Sequence, residues 1–384
     1  MKRKLIALAL GLGLLVPAVS GAEVNDPLLK KLVDKGTLTA AEAEEVQGKT
    51  PLKGLSIGTT VYIDYSFGQT GGATKSNYNR FTLQRGYINI KKEITPWFKL
   101  RVTPDIKTSS TTTGDYTIRM KYLYADFLTP DLGPITDNDV RVGLGHTPLL
   151  DFEEGINTYR MQSPMFQDKR GLITSSDMGV SILGNFGGKL TAEQVEEVDN
   201  PHYTGRFGGY HIGVYNGGGY SSTTGEQNQN KAIEGRLTVR PLPDVLPGLQ
   251  LTYFGITGKG NAATNPTWSN NTGILSYQSR YGVFIGEYMS GKGNISGSDT
   301  TKKKGYSVFG KFIIPTYRKV AFFARYDSLD PDTTVSNDRI NTTIGGASYR
   351  ITGDNYLVAA YEKTHDKTKT EDDKKGQVVL QIAF

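Results

Sequence analysis

From Leu55 onward, hydrophobic and polar residues alternate in steps of two. In "LSIGTTVYIDYSF" one phase holds Leu55, Ile57, Val61, Ile63, Tyr65 and Phe67, and in "WFKLRVTPD" Phe98, Leu100 and Val102 oppose Lys99, Arg101 and Thr103. "AIEGRLTVR" sets Ile233, Leu237 and Val239 against Glu234, Arg236, Thr238 and Arg240, while "KVAFFARYD" sets Val320, Phe322 and Tyr326 against Arg325 and Asp327. The final "QVVLQIAF" puts Val378, Leu380, Ile382 and Phe384 on one side. Successive side chains of a strand point to opposite faces, so each segment predicts a strand with one apolar and one polar face. "FTLQRGYINIKK" keeps an apolar face only with a bulge. Before Leu55 the period is helical: Leu28, Leu29, Leu32 and Val33 share a helix face, Gly36 interrupts it, and Thr39 can cap a second helical turn.

Strands are predicted to start near residues 55, 79, 97, 115, 138, 176, 206, 231, 248, 272, 283, 305, 319, 339, 355 and 375, sixteen in all. Even-numbered strands follow Gly/Ser/Thr/Asn-rich stretches such as "GQTGGATKSN" and "NGGGYSSTTGEQNQN"; odd-numbered ones mostly follow tight turns such as "KEITP", "IPTYR" and "TGDN". An even strand count with long loops on one rim and short turns on the other predicts an all-β fold, a transmembrane antiparallel β-barrel. Lipid offers no hydrogen bonds, so the last strand must close on the first. Phe384 then falls in an interfacial aromatic girdle, and the ending resembles the C-terminal signal read by the barrel-assembly machinery of Gram-negative bacteria. Between strands six and seven, "LTAEQVEEVDN" echoes "LTAAEAEEVQ" near the N-terminus. Both are Thr-capped acidic helix candidates on the short-turn rim, read either as a solvated structural plug or as a docking surface for a periplasmic partner.

Composition agrees with the barrel. Only 37% of residues are hydrophobic, while Gly (46) and Tyr (22) are abundant, which is weak core material for soluble domains of this size. "MKRKLIALALGLGLLVPAVSGA" has the basic start, short apolar run and small-residue end of a secretory signal peptide. The expected organisation is a signal peptide over 1–22, a periplasmic helical segment over 23–54 and the barrel over 55–384. Loss of Lys2, Arg3 and Lys4 takes the formal charge from +6 to +3, which leaves no footprint for nucleic acid. Cys is absent, excluding disulfides, a lipoprotein anchor, Cys-based metal sites and covalent haem attachment. No metal cluster, cofactor cradle or nucleophile motif stands out, and the four His (146, 202, 211 and 365) sit in no catalytic motif, so neither an enzyme nor a cofactor protein is expected.

"VRVGLGHTP" (140–148), "MGVSILGNFGG" (178–188), "YHIGVYNGGG" (210–219), "EGRLTVRPLPDVLPGLQL" (234–251) and "VAFFARYDSLD" (320–330) resemble the successive motifs of the phosphate-selective porin family, taken in its broad sense. The resemblance spans most of residues 55–384. It implies a sixteen-stranded barrel, usually a homotrimer in outer-membrane lipid, with an aqueous lumen narrowed by an inward-folded third loop. His146-Thr147 stands where that family often has a Lys before the proline, so phosphate specificity is not carried over.

The third loop, "TPLLDFEEGINTYRMQSPMFQDKRGLITSS", is long enough to be functional. It carries Asp151, Glu153 and Glu154, then Arg160, Lys169 and Arg170, which facing one another across a constriction would sort solutes by charge. Strand parity points Lys99, Arg101, Arg119, Lys121, Arg141, Arg236, Arg240, Lys311 and Arg325 into the lumen, against Asp64, Asp105, Glu234, Asp327 and Glu362. A Lys or Arg at mid-membrane on the lipid face would cost about 2–4 kcal/mol. The cation excess predicts a channel for small hydrophilic solutes with a mild anion preference. The competing reading is a barrel sheath around a partner such as a multihaem cytochrome in an electron conduit.

Overall fold

The computed structural model describes residues 27–49, 53–72, 74–108, 115–222 and 225–384; the expected signal segment lies outside them. The chain divides into a unit ending at Leu55 and a second over Ser56–Phe384. In the first, α1 (Pro27–Asp34) ends ahead of Gly36, whose φ of 67° needs the left-handed region. Helix α2 (Ala40–Lys49) opens on a capping box. The Thr39 hydroxyl accepts from the Glu42 N–H at 3.2 Å, and the Thr39 N–H donates to the Glu42 carboxylate at 2.8 Å.

The second unit is a closed barrel of sixteen strands, each antiparallel to its neighbours in chain order. They are β1 (Leu55–Thr70), β2 (Ser76–Thr95), β3 (Phe98–Thr108), β4 (Tyr116–Leu128), β5 (Ile135–His146), β6 (Ser176–Phe186), β7 (Gly208–Tyr215) and β8 (Ala232–Val239). The other half comprises β9 (Leu249–Lys259), β10 (Thr267–Ser279), β11 (Gly282–Lys292), β12 (Lys302–Ile313), β13 (Val320–Asp330), β14 (Ile340–Thr352), β15 (Asn355–Asp366) and β16 (Asp373–Ala383). Helices α3 (Pro148–Ile156) and α4 (Phe166–Lys169) lie in the third loop, and α5 (Ala192–Val198) lies in the turn between β6 and β7. The largest offset from the expected strand starts is five residues, at β10, because "NPTWSNN" carries no apolar alternation.

Closure joins β1 to β16 from Thr60↔Ala383 to Gln69↔Lys374, with Thr59 and Phe384 exchanging backbone hydrogen bonds of 2.9 and 3.3 Å. Ile57, Ile63, Phe67 and Val378 are exposed on the outer surface while Tyr62, Asp64 and Ser66 are buried inside, as the two-residue period requires. The pairing of β2 with β3 is in register from Gly86 to Glu93; the break falls later than expected, between Glu93 and Thr95. A second irregularity shapes the lumen. Thr103 pairs with Tyr122 but Pro104 pairs with Met120, so Lys121 is the extra residue of a bulge opposite a proline that has no N–H to donate. Lys121 and Tyr122 are both buried as a result.

The lumen is not polar throughout. Phe254, Ile256, Trp268, Ile274, Ile285, Met289, Phe309, Phe323, Ile344, Val358 and Val379 form one buried apolar cluster with Leu149, Leu150, Phe152, Ile156, Tyr159, Met161, Met165, Phe166, Leu172 and Ile173 of the third loop. Half of the barrel wall is therefore a hydrophobic seat, and the loop is the element that covers it.

Candidate functional site

The third loop starts on one wall, crosses to the opposite one and returns. At its start, the Arg236 Nε donates to the Pro148 carbonyl at 3.1 Å and fixes α3 against β8. Midway, the Tyr159 hydroxyl lies 2.7 Å from that of Ser348, its ring stacks on Phe323 at 4.1 Å, and Arg325 donates to the Pro164 carbonyl at 2.8 Å. On the return, the Gln167 amide donates to Thr272 at 2.9 Å and to Glu287 at 2.5 Å and accepts from Asn270. The Trp268 indole N–H closes the path on the Leu172 carbonyl at 3.1 Å.

This path separates the six charged loop residues singled out in the sequence. Glu154 and Arg160 form an ion pair of 3.1 Å beside the bulged strand, where Lys121 lies 4.0 Å from Glu154. Arg160 also reaches Asp168 at 3.5 Å, a residue the sequence reading had passed over inside "FQDKR". On the wall beside Lys121, Arg119 binds Asp105 at 2.9 Å and Arg85 lies 3.9 Å from the same carboxylate. Most of these side chains remain a tenth to a quarter exposed, so the charges border open space. Lys169 and Arg170 instead reach the far wall near the long-loop rim. Lys169 pairs with Glu362 at 2.6 Å, and Arg170 bonds Thr342 at 2.5 Å with its Nε unpartnered. Burial lowers the Lys169 ammonium below its usual value despite Glu362.

Glu153 does not face the lumen. It is 4% exposed, packed behind the loop toward Glu287, and burial followed by the Glu287 charge pushes its carboxyl well up. Asp151 points to the opposite side of α3, 4.0 Å from His146 and 3.8 Å from His211, and burial raises its carboxyl too.

Of the wall residues, Arg141 is locked by Asp126 through contacts of 2.7 and 3.3 Å, and stacks 4.2 Å over Tyr124. Arg101 bonds Asn89 at 2.9 Å and lies 4.5 Å over the Tyr122 ring. Lys311 lies 5.5 Å over Tyr159, and Arg325 is buried on Asp327 at 2.7 Å. Lys99 pairs with Glu93 at 3.4 Å beside the short-turn rim. Arg240 lies one residue beyond β8, buried on the same phase as Arg236 and Thr238, and tucks under the turn between β6 and β7. Alternation continues through "RLTVR", so the strand end was not visible there.

That turn is the unexpected part of the site. Helix α5 has the expected Thr191 cap, with Gln194 completing the box. The segment after it folds inward. The Asn200 amide donates to the Gly155 carbonyl at 2.9 Å and the Tyr203 hydroxyl to the Asp151 carbonyl at 2.5 Å. A Cβ on Gly155 would meet the Tyr203 hydroxyl oxygen at 2.5 Å, so only glycine admits this approach. Between this turn, α3 and the walls of β2 to β9 lies a cavity of about 590 Å³. Among the described residues no cluster of His, Asp or Glu is placed to hold a metal.

A closed sixteen-strand barrel with a loop folded across its lumen is the architecture of outer-membrane porins, and the solved structures this chain resembles are of that class. It is similar to the anion-selective porin from Comamonas acidovorans over 86% of this chain and 99% of that one, at 12% identity and a TM-score of 0.55. The outer membrane channel DcaP of Acinetobacter baumannii aligns over 86% and 97%, at 11% identity and a TM-score of 0.53. The trimer form of OmpT, an outer membrane protein of Vibrio cholerae, aligns over 86% and 99%, at 9% identity and a TM-score of 0.55. Neither a protein-family model nor a curated protein matches the chain.

Proposed function

We propose that this protein is an outer-membrane channel of a Gram-negative bacterium, exported by a cleaved leader, that passes small hydrophilic solutes by passive diffusion with a mild preference for anions. One observation carries the reading. Arg85, Arg119 and Lys121 on β2 and β4 border the same narrow waist as Glu154 and Asp168 on the docked loop, with Arg160 between the two acids. Cations on the wall and acids on the loop, only partly neutralised by their mutual pairing, set up a transverse field that orients and sorts ions. Lys169 and Arg170 act earlier, at the extracellular mouth, and Glu153 serves the seating of the loop. The Comamonas porin is anion-selective and the Vibrio protein forms a trimer, which support the preference and a homotrimer in turn.

Against a sheath, the third loop packs on the inner wall and occupies space that an enclosed partner would need. Phosphate specificity has no support at the position where the resemblance failed. His146 is stacked on Tyr122 at 4.0 Å and bonded to Arg141 at 3.0 Å, so it offers no free cation.

The test is single-channel current in a planar bilayer under a salt gradient. Stepwise conductance with an anion-biased reversal potential is the expected result, and Arg119→Gln with Lys121→Gln shifts that potential toward cations. Folded protein without conductance steps overturns the channel; an unmoved potential in the double variant overturns the assigned field.

A further inference from the structure

The cavity beneath the third loop has a charge arrangement that the waist does not explain. Its acids are engaged: Asp137 with Lys189 at 2.6 Å, Asp139 with Arg141 at 3.6 Å, and Glu154 with Arg160 at 3.1 Å. Asp151 is turned toward His146 and His211, and its charge also reaches Arg141 and Arg236 beyond ion-pair distance. Its cations are not engaged to match. Arg236, 5% exposed at the roof, bonds only the Pro148 carbonyl and the Thr238 hydroxyl, at 3.1 and 2.8 Å. Arg240, 1% exposed at the floor, bonds only the carbonyls of Gly205 and Tyr203, at 3.3 and 2.8 Å, and its Nη1 has no partner. Lys91 opens onto the same space from β2. Among the described residues none of these three has a carboxylate within ion-pair distance.

A buried cation without a counter-charge is costly unless something supplies one. Burial alone pushes the Arg240 guanidinium down to about 10, with no neighbouring charge contributing. Both arginines are also held rigidly, which prepares them to receive a ligand. Arg236 lies 4.9 Å over Phe152 and 5.7 Å over Tyr203, and Arg240 is fixed by the inward-folded turn. A guanidinium fork matches the paired oxygens of a carboxylate or a phosphate.

We propose that this cavity is an oxyanion-binding station on the turn side of the third loop, where the carboxylate or phosphate group of a small solute supplies the charge that Arg240 lacks and that Arg236 draws only from the more distant Asp151. The station deepens the anion preference proposed above and rests on that reading for its role in transport, though not for binding itself. A solute leaving the waist would dwell here before release, and one added from the turn rim would meet the station first.

Calorimetric titration of the detergent-folded protein with inorganic phosphate and with succinate tests binding without requiring conduction. Saturable binding is expected, weakened tenfold or more in Arg236→Gln and in Arg240→Gln and severalfold in Lys91→Gln, with heat-modifiable gel mobility verifying each fold. Binding of phosphate alone assigns a phosphate-bearing solute; binding of succinate alone assigns a carboxylate. If the arginine variants do not fold, Lys91→Gln decides. No saturable binding in the wild type, or wild-type affinity in every folded variant, overturns the station. In bilayers, block by the same anions should be stronger from the turn rim and should fade in Arg236→Gln. A silent channel that still binds in the calorimeter would sink the porin reading and leave the station standing.

Discussion

Strands β2 to β5 and strands β9 to β15 are built on the same two-residue period, yet only the second group intersperses large apolar residues among the polar ones of its lumen face. The first wall presents Arg101, Asp105, Arg119, Lys121 and Arg141, tied to one another and to aromatic rings by ion pairs and cation–π contacts. The second presents Phe254, Trp268, Ile285, Phe309, Phe323 and Ile344 among its polar residues. The difference is set by what lies against each wall. The first wall is left largely uncovered by the loop, and its charges, Asp105, Lys121 and Arg141 buried among them, are held by ion pairs and aromatic rings; the third loop covers the second, so its apolar residues leave water on both sides of the contact. The inside of this barrel is thus half channel wall and half protein core, and the constriction loop is held by the core half while its charges serve the other.

The largest expected way to break that contrast is at Phe166. Its ring sits over Gly305 of β12, where an added Cβ would meet it at 2.8 Å. Phe166→Ala should remove about 3–5 kcal/mol from loop seating. The loop would then become cleavable by trypsin at Arg160, Lys169 and Arg170 in a barrel that stays folded, whereas the wild type resists. A smaller effect is expected at Gln167, whose amide is shared by Asn270, Thr272 and Glu287. Gln167→Ala leaves these buried groups without their partner and should weaken seating by about 1–3 kcal/mol, read as partial cleavage under the same conditions.

The smallest is a pH dependence. Glu153 in the seated loop is raised well above the ordinary 4.5 by burial and by the Glu287 charge. An acid raised on seating stabilises the seated loop fully below its ordinary value and loses that contribution as pH rises through the raised one. Gating noise in bilayers should therefore grow from acid toward neutral pH, and Glu153→Gln should flatten the trend. An unchanged pH profile in that variant would detach Glu153 from loop seating.

Much of this was readable in the chain. Alternation located each strand to within five residues, and loop length separated the two rims. The acidic echo "LTAEQVEEVDN" became a capped helix. Lys121 and its neighbour Tyr122 are both buried, which two successive strand residues achieve only through a bulge opposite Pro104, and parity counting steps over it. The apolar lumen residues carried a faint signal: Phe323 beside Phe322, and Val358 in "YLVAAY", sit on the phase otherwise given to charges. A purely aqueous lumen was the expectation, and it hid them.

What the sequence determined by itself is the barrel: a covalent chain can alternate two chemistries every residue, and only a closed sheet between lipid and an interior uses that pattern along so many strands. Which charges meet across the lumen was decided in three dimensions. Glu153, Glu154 and Asp151 are near neighbours on one short helix, yet Glu153 faces the wall core, Asp151 faces the two histidines of the lower cavity, and Glu154 borders both that cavity and the waist. A helix turns about 100° per residue, so adjacent carboxylates diverge, and only the packing of α3 between the β8 wall and Tyr203 selects which of them borders the path.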